Sequence, residues 1–589
     1  MHALDRSPPP TGLWRFAPAF DSLRRYRPAD LRADLLAGLT VAAVAVPQAM
    51  AYAMVAGVPP QYGLYTAIVM TAVGAIFDSS KQLINGPTNA TSIAAFSATA
   101  AVIGTEARIE AVILLGFLVG AIQLGITLLR LGDLTRFISH SVIVGFTAGA
   151  GTLLALDQLK NLLGLTTVGD AHDHFLVRFV RTLLEGGGVH LPTLAVGGCT
   201  ILAVVALRWL KNRFGWILFP ELFVVVAAAA LVTGALGLDA QGVKVIGDVP
   251  ASLPAFDVPS LDLAQMEALS TSAFAIAVLG LLEALAMAKA ISARTGQRLD
   301  LNQQCLSEGL ANFVGSFFQC IPGSGSLTRS AINQQAGAST QWSGVWSAAA
   351  VALIMVLLAP WARYVPRAAL AGILVVTAWR MVDRKALVYA FRATRFDAVL
   401  IGATALSAVF VSIEFCILIG VFLSFALAVP RAGRMLLTEF VVGESGHVHE
   451  RLTGDTADRR LLVFGLEGEM FFGAGPALEQ HLDAIEDRID ADTRVLVLRV
   501  KRVRSPDAVG MHLLDTFVDR VRARGVHVLL CGVRGEMFEV LARTGSADRV
   551  GAPNLFREMP VRQTSTAEAV AYAQRLLARE DAAGLSATP

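Results

Sequence analysis

The sequence predicts a polytopic α-helical membrane protein of fourteen apolar segments in two inverted seven-helix repeats, followed by a small α/β domain. Of its 589 residues, 54% are hydrophobic and only 16% are charged, whereas soluble domains are about 25% charged. Residues 35–430 hold 42 of the 96 charged side chains, and residues 35–77 hold none. After about residue 440, short apolar runs alternate with helical patterns, which indicates a sheet covered by helices. This profile excludes an ordinary soluble enzyme and a disordered chain.

The apolar segments are long enough for a multi-span domain, since a bilayer core of about 30 Å needs about 20 apolar residues per helix. Two of the fourteen are too short to cross alone. The segments lie near residues 34–56, 61–79, 87–103, 109–131, 137–161, 191–209, 217–238, 268–292, 305–320, 326–337, 341–360, 367–381, 395–412 and 414–430.

Basic residues set the predicted orientation, because Lys and Arg in short loops stay cytoplasmic. Alternating the fourteen segments puts most of these residues on the side of the N-terminus, and Arg363 and Arg367 are exceptions on the outside. Both termini are therefore predicted in the cytoplasm. The predicted divisions are a cytoplasmic N-terminal segment, a transmembrane domain, a cytoplasmic α/β domain and a disordered tail, at residues 1–33, 34–432, 437–580 and 581–589.

The two short segments carry the functional signal. Gly86–Thr91 opens the third segment and Gly323–Arg329 opens the tenth, so they occupy equivalent positions in the two seven-helix halves. Because seven is odd, the second half is inverted relative to the first. Short, Gly/Pro-interrupted helices at matching positions of inverted repeats point to the midplane site of a transporter. The alternative is a pair of re-entrant loops or kinked helices with a purely structural role.

Several motifs resemble the sulfate permease (SulP) family. They are Pro47-Gln48-Ala49-Met50-Ala51-Tyr52, Ala56-Gly57-Val58-Pro59-Pro60, Gly63-Leu64-Tyr65 and Ser326-Leu327-Thr328-Arg329-Ser330-Ala331-Ile332-Asn333. The C-terminal region is similar to the STAS domain that these transporters carry. The resemblance implies a membrane domain divided into a core and a gate, a homodimer and an elevator-like motion. It also implies a small-anion substrate such as sulfate, bicarbonate, chloride, iodide, oxalate or a dicarboxylate.

The expected anion site lies between the two short helices, because a helix N-terminus carries partial positive charge and free N–H groups. The resemblance places substrate contacts at Gln48, Tyr52, Thr88, Ser326, Leu327, Thr328 and Arg329. Gln48 and Tyr52 share a helical face, and their alternative role is packing of a polar pair. Arg329 is the only Arg or Lys between Arg298 and Arg363, and we expect it to supply the fixed positive charge of the site.

Glu283 is the candidate for cation coupling. No other charged residue lies between 268 and 288, and a carboxylate at the centre of a span is costly and usually functional. The resemblance links an acidic residue here to proton or cation coupling. The alternatives are a hydrogen bond that packs helices, or a permanent ion pair with Arg329. Apart from a coupling H⁺ or Na⁺ we expect no cofactor, and the spacing of Cys and His residues gives no metal site.

These patterns favour a secondary-active anion transporter of the inner membrane, with sulfate as the first substrate and proton or cation coupling. One alternative is a bicarbonate or dicarboxylate transporter, or an anion exchanger, of the same fold. A more remote alternative is a membrane-tethered signalling module that acts through the STAS domain. Ala508 counts against it, because this position carries a phosphorylatable serine in related signalling proteins. No enzyme motif is present, and the net charge of +2 gives no argument for a nucleic-acid partner.

Overall fold

The computed structural model describes most of the chain. The described residues are 17–24, 26–130, 139–169, 175–216, 219–443, 448–453, 455, 458–560 and 564–585. The chain divides into two compact units, residues 1–424 and residues 425–589, and the division falls inside the helix Ile413–Ala432. Half of the predicted N-terminal segment and the last four residues of the predicted tail lie outside the described residues.

Two sets of elements with the same order make up the membrane unit. The first set is α1 (Pro18–Leu23), α2 (Pro28–Val55), α3 (Pro60–Phe77), β1 (Asn85–Gly86), α4 (Asn89–Ala98), α5 (Thr105–Leu128), α6 (His140–Leu163), α7 (Phe175–Glu185), α8 (Leu191–Phe214) and α9 (Glu221–Leu236). The second set is α10 (Leu263–Thr295), α11 (Leu301–Ser316), β2 (Ser324–Gly325), α12 (Leu327–Gln335), α13 (Trp342–Ala362), α14 (Arg367–Met381), α15 (Arg384–Ala393), α16 (Arg395–Phe410) and α17 (Ile413–Ala432).

All fourteen predicted apolar segments fall on helices of this unit. Among the described residues, seven helices are long and apolar enough to cross a membrane alone. From α2 onward the first set repeats in the second: two helices, a two-residue strand, a short helix, two helices, an amphipathic helix and two more helices. The apolar-run criterion did not predict α7 and α15, because an amphipathic helix has no continuous apolar stretch. Their matching positions extend the predicted repeat.

The most extensive helix contacts of the membrane unit fall into two groups, which smaller contacts such as those of α2 with α9 and α14 connect. In one group, which we call the core helices, α3 packs on α2 and α13, while α5 packs on α10 and α11. In the other group, the gate helices, α6 packs on α14 and α16, and α8 packs on α9 and α14. Close packing uses glycine where backbones meet: a Cβ at Gly120 of α5 would lie 2.3 Å from the backbone nitrogen of Phe313 in α11. The predicted division into core and gate therefore matches the contacts within this unit.

The C-terminal unit contains the α/β domain. Its sheet has the order β4-β3-β5-β6-β7-β8, in which β3 is antiparallel to β4 and β5 and the other neighbours are parallel. The strands are β3 (Leu436–Val442), β4 (Val448–Glu450), β5 (Leu461–Glu469), β6 (Val495–Arg504), β7 (His527–Val533) and β8 (Leu555–Arg557). The helices are α18 (Gly475–Glu486), α19 (Ala508–Ala523), α20 (Gly535–Thr544), α21 (Ser546–Val550) and α22 (Thr564–Leu585).

Both faces of this sheet are covered by helices. One face packs against α18, α19 and α20, and the other packs against buried residues of α22 such as Val570 and Ala573. Helix α22 continues to Leu585, so residues 581–585 of the predicted tail lie in a helix. In these turns Asp581 forms an ion pair with Arg460, the residue before β5, at 2.8 Å.

Candidate functional site

The two short helices start from one small two-stranded antiparallel sheet. Strand β1 pairs with β2, with Asn85 opposite Gly325 and Gly86 opposite Ser324. The backbone N–H of Ser326 donates to the carbonyl of Ile84 at 2.9 Å, which extends the pairing. Because α4 and α12 begin directly after β1 and β2, the pairing brings their N-termini to opposite ends of the same short two-stranded sheet. The predicted meeting of the two helix starts is present.

Each short helix begins at a hydroxyl residue. The Thr88 Oγ1 accepts from the backbone N–H of Thr91, and the Ser326 Oγ accepts from the backbone N–H of Arg329, at 3.4 and 3.5 Å. Such N-caps satisfy one of the four N–H groups that a helix start leaves without an intrahelical acceptor. The backbone N–H groups of Thr88 and Ser326 are also used, by the Thr91 Oγ1 and the Ile84 carbonyl. The first two N–H groups inside each helix remain available, and with the helix dipole they favour an anion at both helix starts.

Arg329 reaches from one repeat to the other. Its side chain is 0% exposed, and its Nη2 donates to the carbonyl of Pro87 at 2.9 Å. Its Nε and Nη1 are buried without a hydrogen-bond partner, and within the described part of the chain no carboxylate lies within 4 Å of it. Gly86 makes room for this guanidinium, since a Cβ there would lie 2.9 Å from Nη1. A buried guanidinium with free N–H groups is costly unless a ligand pairs with it.

Glu283 of α10 lies beside the start of α4. The Thr88 hydroxyl donates to its Oε2 at 3.0 Å. The neighbouring turn of α10 contacts β2, because the Ser324 hydroxyl donates to the carbonyl of Gly280 at 2.8 Å. The permanent ion pair between Glu283 and Arg329 is therefore absent from the structure, although the two groups are close enough to interact electrostatically. Tyr52 of α2 lies within electrostatic range of both.

The remaining predicted residues lie around this centre with different exposure. Leu327 is 56% exposed, and Thr328 is partly exposed. Gln48 is buried one turn before Tyr52 on α2, and its Oε1 has no hydrogen-bond partner. The structure therefore brings Tyr52, Glu283 and Arg329 within electrostatic range of one another, with Thr88 hydrogen-bonded to Glu283. It records no direct contact between Gln48 and these residues.

Comparison with protein families assigns the chain. The profile of the Sulfate permease family matches residues 31–404, which is more than half of the chain. The chain belongs to the sulfate permease family. A second match, to the STAS domain, covers residues 455–561 and identifies the α/β domain. The family consists of transporters and not of enzymes, so membership implies an anion substrate and a membrane setting.

The relatives of this sulfate permease family member align over nearly its whole length. The putative sulfate transporter YvdB of Bacillus subtilis is 29% identical, over 89% of this chain and 95% of its own. Sulfate transporter 4.1, chloroplastic, of Arabidopsis thaliana is 30% identical, over 91% of this chain and 80% of its own. The probable sulfate transporter Rv1739c of Mycobacterium tuberculosis is 28% identical, over 92% of this chain and 97% of its own.

Solved structures show the same fold. The murine anion transporter Slc26a9, in an inward-facing state, superposes with a TM-score of 0.85 at 19% identity, covering 97% of this chain and 96% of its own. The transmembrane domain of a cyanobacterial bicarbonate transporter, BicA, has a TM-score of 0.57 at 22% identity, covering 68% of this chain and 98% of its own. These likenesses concern the architecture alone.

Sequence reasoning missed three groups near the candidate site. The Pro87 carbonyl accepts from Arg329, Gly86 provides the space, and Thr91 completes the cap of α4. All three fall within the Gly-Pro motif that the sequence singles out, so reading the whole motif as a site would have found them. A fourth group, Glu308 of α11, is 0% exposed with both carboxyl oxygens unpartnered. It is the only charged residue between Asp300 and Arg329 in the sequence, so the argument that singled out Glu283 would also have found it.

Proposed function

We propose that the protein is a secondary-active transporter of small anions, with sulfate as its main substrate, and that the anion binds between the starts of α4 and α12. One observation carries this proposal: Arg329 is fully buried at the junction of the two repeats, and two of its three guanidinium nitrogens have no partner. Guanidinium groups form charge-assisted, often bidentate hydrogen bonds with oxyanions. An oxyanion at this junction would satisfy donors that the protein leaves free.

The helix starts support the same reading. A cation in the first turn of α12 opposes the helix dipole, so local helix stability gives no reason for Arg329. An anion would interact favourably with the guanidinium, with both helix dipoles and with the backbone N–H groups of Leu327 and Thr328. The side chains of Gln48, Tyr52, Thr88 and Ser326 then complete the proposed site with neutral polar groups.

Proton or cation coupling is proposed to run through Glu283. A hydroxyl has one proton to donate, and Thr88 gives that proton to Glu283. Neutralising Glu283 would weaken this bond, free the Thr88 hydroxyl for the anion and remove a like charge from the site. A proton or Na⁺ on Glu283 would therefore favour anion binding, which is the thermodynamic requirement for symport.

The transport motion is proposed to be elevator-like, with the core helices moving against the gate helices. The more extensive packing within each group than between them supports this motion, since the short helices α4 and α12 both pack on the core helices α2 and α10. We also propose a homodimer in the inner membrane with both termini in the cytoplasm. The distribution of Lys and Arg at the helix ends supports this orientation.

Sulfate is proposed ahead of other anions because relatives that align over about nine-tenths of the chain are named sulfate transporters. The test is uptake of labelled sulfate, bicarbonate and succinate into proteoliposomes that contain the full-length protein, with and without inward H⁺ or Na⁺ gradients. We expect sulfate uptake that a gradient accelerates. Faster uptake of bicarbonate or succinate would refute the substrate, and sulfate uptake driven only by an internal anion would refute symport.

A further inference from the structure

A large apolar cavity lies between α2, α9 and α13. Its volume is about 660 Å³, which is within the range of about 300–1,000 Å³ typical of ligand pockets. Core helices α2 and α13 line one side, with Val46, Met50 and Leu358 among their residues, and gate helix α9 lines the other. Among the described residues that line it none is charged, and Trp361 and Tyr364 carry the only polar side-chain atoms.

The cavity reaches the lateral surface of the membrane unit. Leu231 of α9 is 64% exposed, and Leu358 and Trp361 of α13 are 40% and 63% exposed. Water in a cavity needs two to four polar partners, which this lining does not offer. In a bilayer the neighbouring molecules are lipids, and an acyl chain matches an apolar space that opens toward them. The lining therefore favours a hydrocarbon chain over water or a polar solute.

Positive charge lies at one end of the cavity. Arg363 follows the last residue of α13, is exposed, and places its guanidinium 5.0 Å from the ring centroid of Tyr364, which lines the cavity. Arg367, also exposed, lies four residues further and donates from Nε to the carbonyl of Val245 at 3.2 Å. Trp and Tyr are enriched at membrane interfaces, so Trp361 and Tyr364 indicate headgroup depth here.

We propose that this cavity binds an anionic phospholipid, with one acyl chain in the cavity and the phosphate at Arg363. The charge of the headgroup accounts for Arg363 and Arg367, the two arginines that contradict the predicted orientation. Guanidinium groups bind phosphate through charge-assisted hydrogen bonds. An acyl chain in the cavity would contact Pro47 and Met50, which flank Gln48 on α2, and it would also contact α9. The lipid therefore lies between the two groups of helices, and the proposal does not depend on the transported anion.

The test measures lipid retention by the full-length protein after release from bilayers of phosphatidylcholine and phosphatidylglycerol, using native mass spectrometry. Ala230→Phe fills the cavity, and Ala228→Phe is its matched control on α9, since Ala228 is exposed and does not line the cavity. We expect the wild type and Ala228→Phe to retain phospholipid, and Ala230→Phe to retain at least fivefold less. Gly234→Leu is a second filling variant, because a Cβ there makes ordinary contact with Tyr364 at 3.4 Å.

The headgroup is tested separately with Arg363→Ala. This variant should keep the lipid but lose the enrichment of phosphatidylglycerol over phosphatidylcholine, whereas Arg213→Ala, an exposed arginine at the end of α8, should keep it. Equal lipid retention by both filling variants and Ala228→Phe would overturn the proposal. A change in oligomeric state in the same spectra, without lipid loss, would identify a second copy of the chain as the occupant and would also overturn it. Unchanged lipid preference in Arg363→Ala would refute the headgroup assignment.

Discussion

Replacing Arg329 with alanine should weaken anion binding strongly while leaving the protein folded. The substitution removes the bond to the Pro87 carbonyl and the two unpartnered nitrogens. A hydrogen bond to a charged group contributes about 1.5–3 kcal/mol, and about 1.4 kcal/mol corresponds to a factor of ten. The dissociation constant for sulfate should therefore rise roughly tenfold to a hundredfold.

Folding should survive because no carboxylate depends on Arg329 as an ion-pair partner. Within the described residues its one hydrogen-bonded acceptor is the neutral carbonyl of Pro87. Removing one member of a buried ion pair costs about 3–5 kcal/mol, but here the removed charge leaves only a carbonyl behind. Loss of that bond costs about 1.5–3 kcal/mol, and removing a buried charge offsets part of it.

The assay is equilibrium binding of labelled sulfate to the purified full-length protein, with the melting temperature measured on the same sample. Arg329→Lys is the matched control, because it keeps the charge but not the planar donor pair. Its sulfate affinity should fall between those of the wild type and Arg329→Ala. Near-normal sulfate affinity in folded Arg329→Ala would refute our assignment. If Arg329→Ala misfolds and the double variant with Glu283→Gln folds and binds sulfate normally, then Arg329 is a structural partner of Glu283.

Four further predictions concern other parts of the chain. Glu283→Gln should flatten the pH or cation dependence of uptake while the protein stays in the membrane; an unchanged dependence in proteoliposomes would return Glu283 to a packing role. Mass spectrometry of native protein should find no phosphate on residues 505–512 that changes transport, since Ala508 has no hydroxyl. Deletion of 440–589 should lower assembly or transport rate more than it alters the ratio of sulfate to succinate uptake. Burial raises the pKa of the Cys531 thiol to about 11, and since the thiolate is the nucleophile, iodoacetamide at pH 7.5 should label Cys531 only after unfolding.

Much of the fold follows from local sequence signals. Each apolar run fell on a helix because a segment in a membrane must satisfy its own backbone hydrogen bonds, which makes composition alone informative. The starts of α4 and α12 could be predicted equally well, since Thr88 and Ser326 are both good N-cap residues, preceded by Gly86-Pro87 and by Gly325. Asp507 is also a residue type that favours the N-cap, and its Oδ1 accepts from the backbone N–H of Gly510 at 2.9 Å.

Pairwise contacts between distant segments were not readable in the same way. Arg329 contacts Pro87 across 242 residues, and Thr88 contacts Glu283 across 195. A composition or periodicity argument places each residue on its own helix and says nothing about which helices adjoin. The inverted repeat supplied the missing constraint for the two short helices, because equivalent positions in two interlocked halves meet near the centre. It supplied none for α10, which carries Glu283.

The choice between a structural and a functional role for Arg329 shows why coordinates were needed. From the sequence, pairing with Glu283 and binding of an anion explain the same two isolated charges equally well. In the structure the Glu283 carboxylate accepts from Thr88, while Arg329 donates to a carbonyl and keeps two nitrogens free. If Arg329 and Glu283 served only to neutralise each other, we would expect a direct hydrogen-bonded ion pair, since a buried charged group without a partner is costly. Each charged group instead contacts a neutral group at the start of α4. Each could therefore bind and release its own ligand without leaving the other charge unpaired, as coupled transport of an anion and a cation requires.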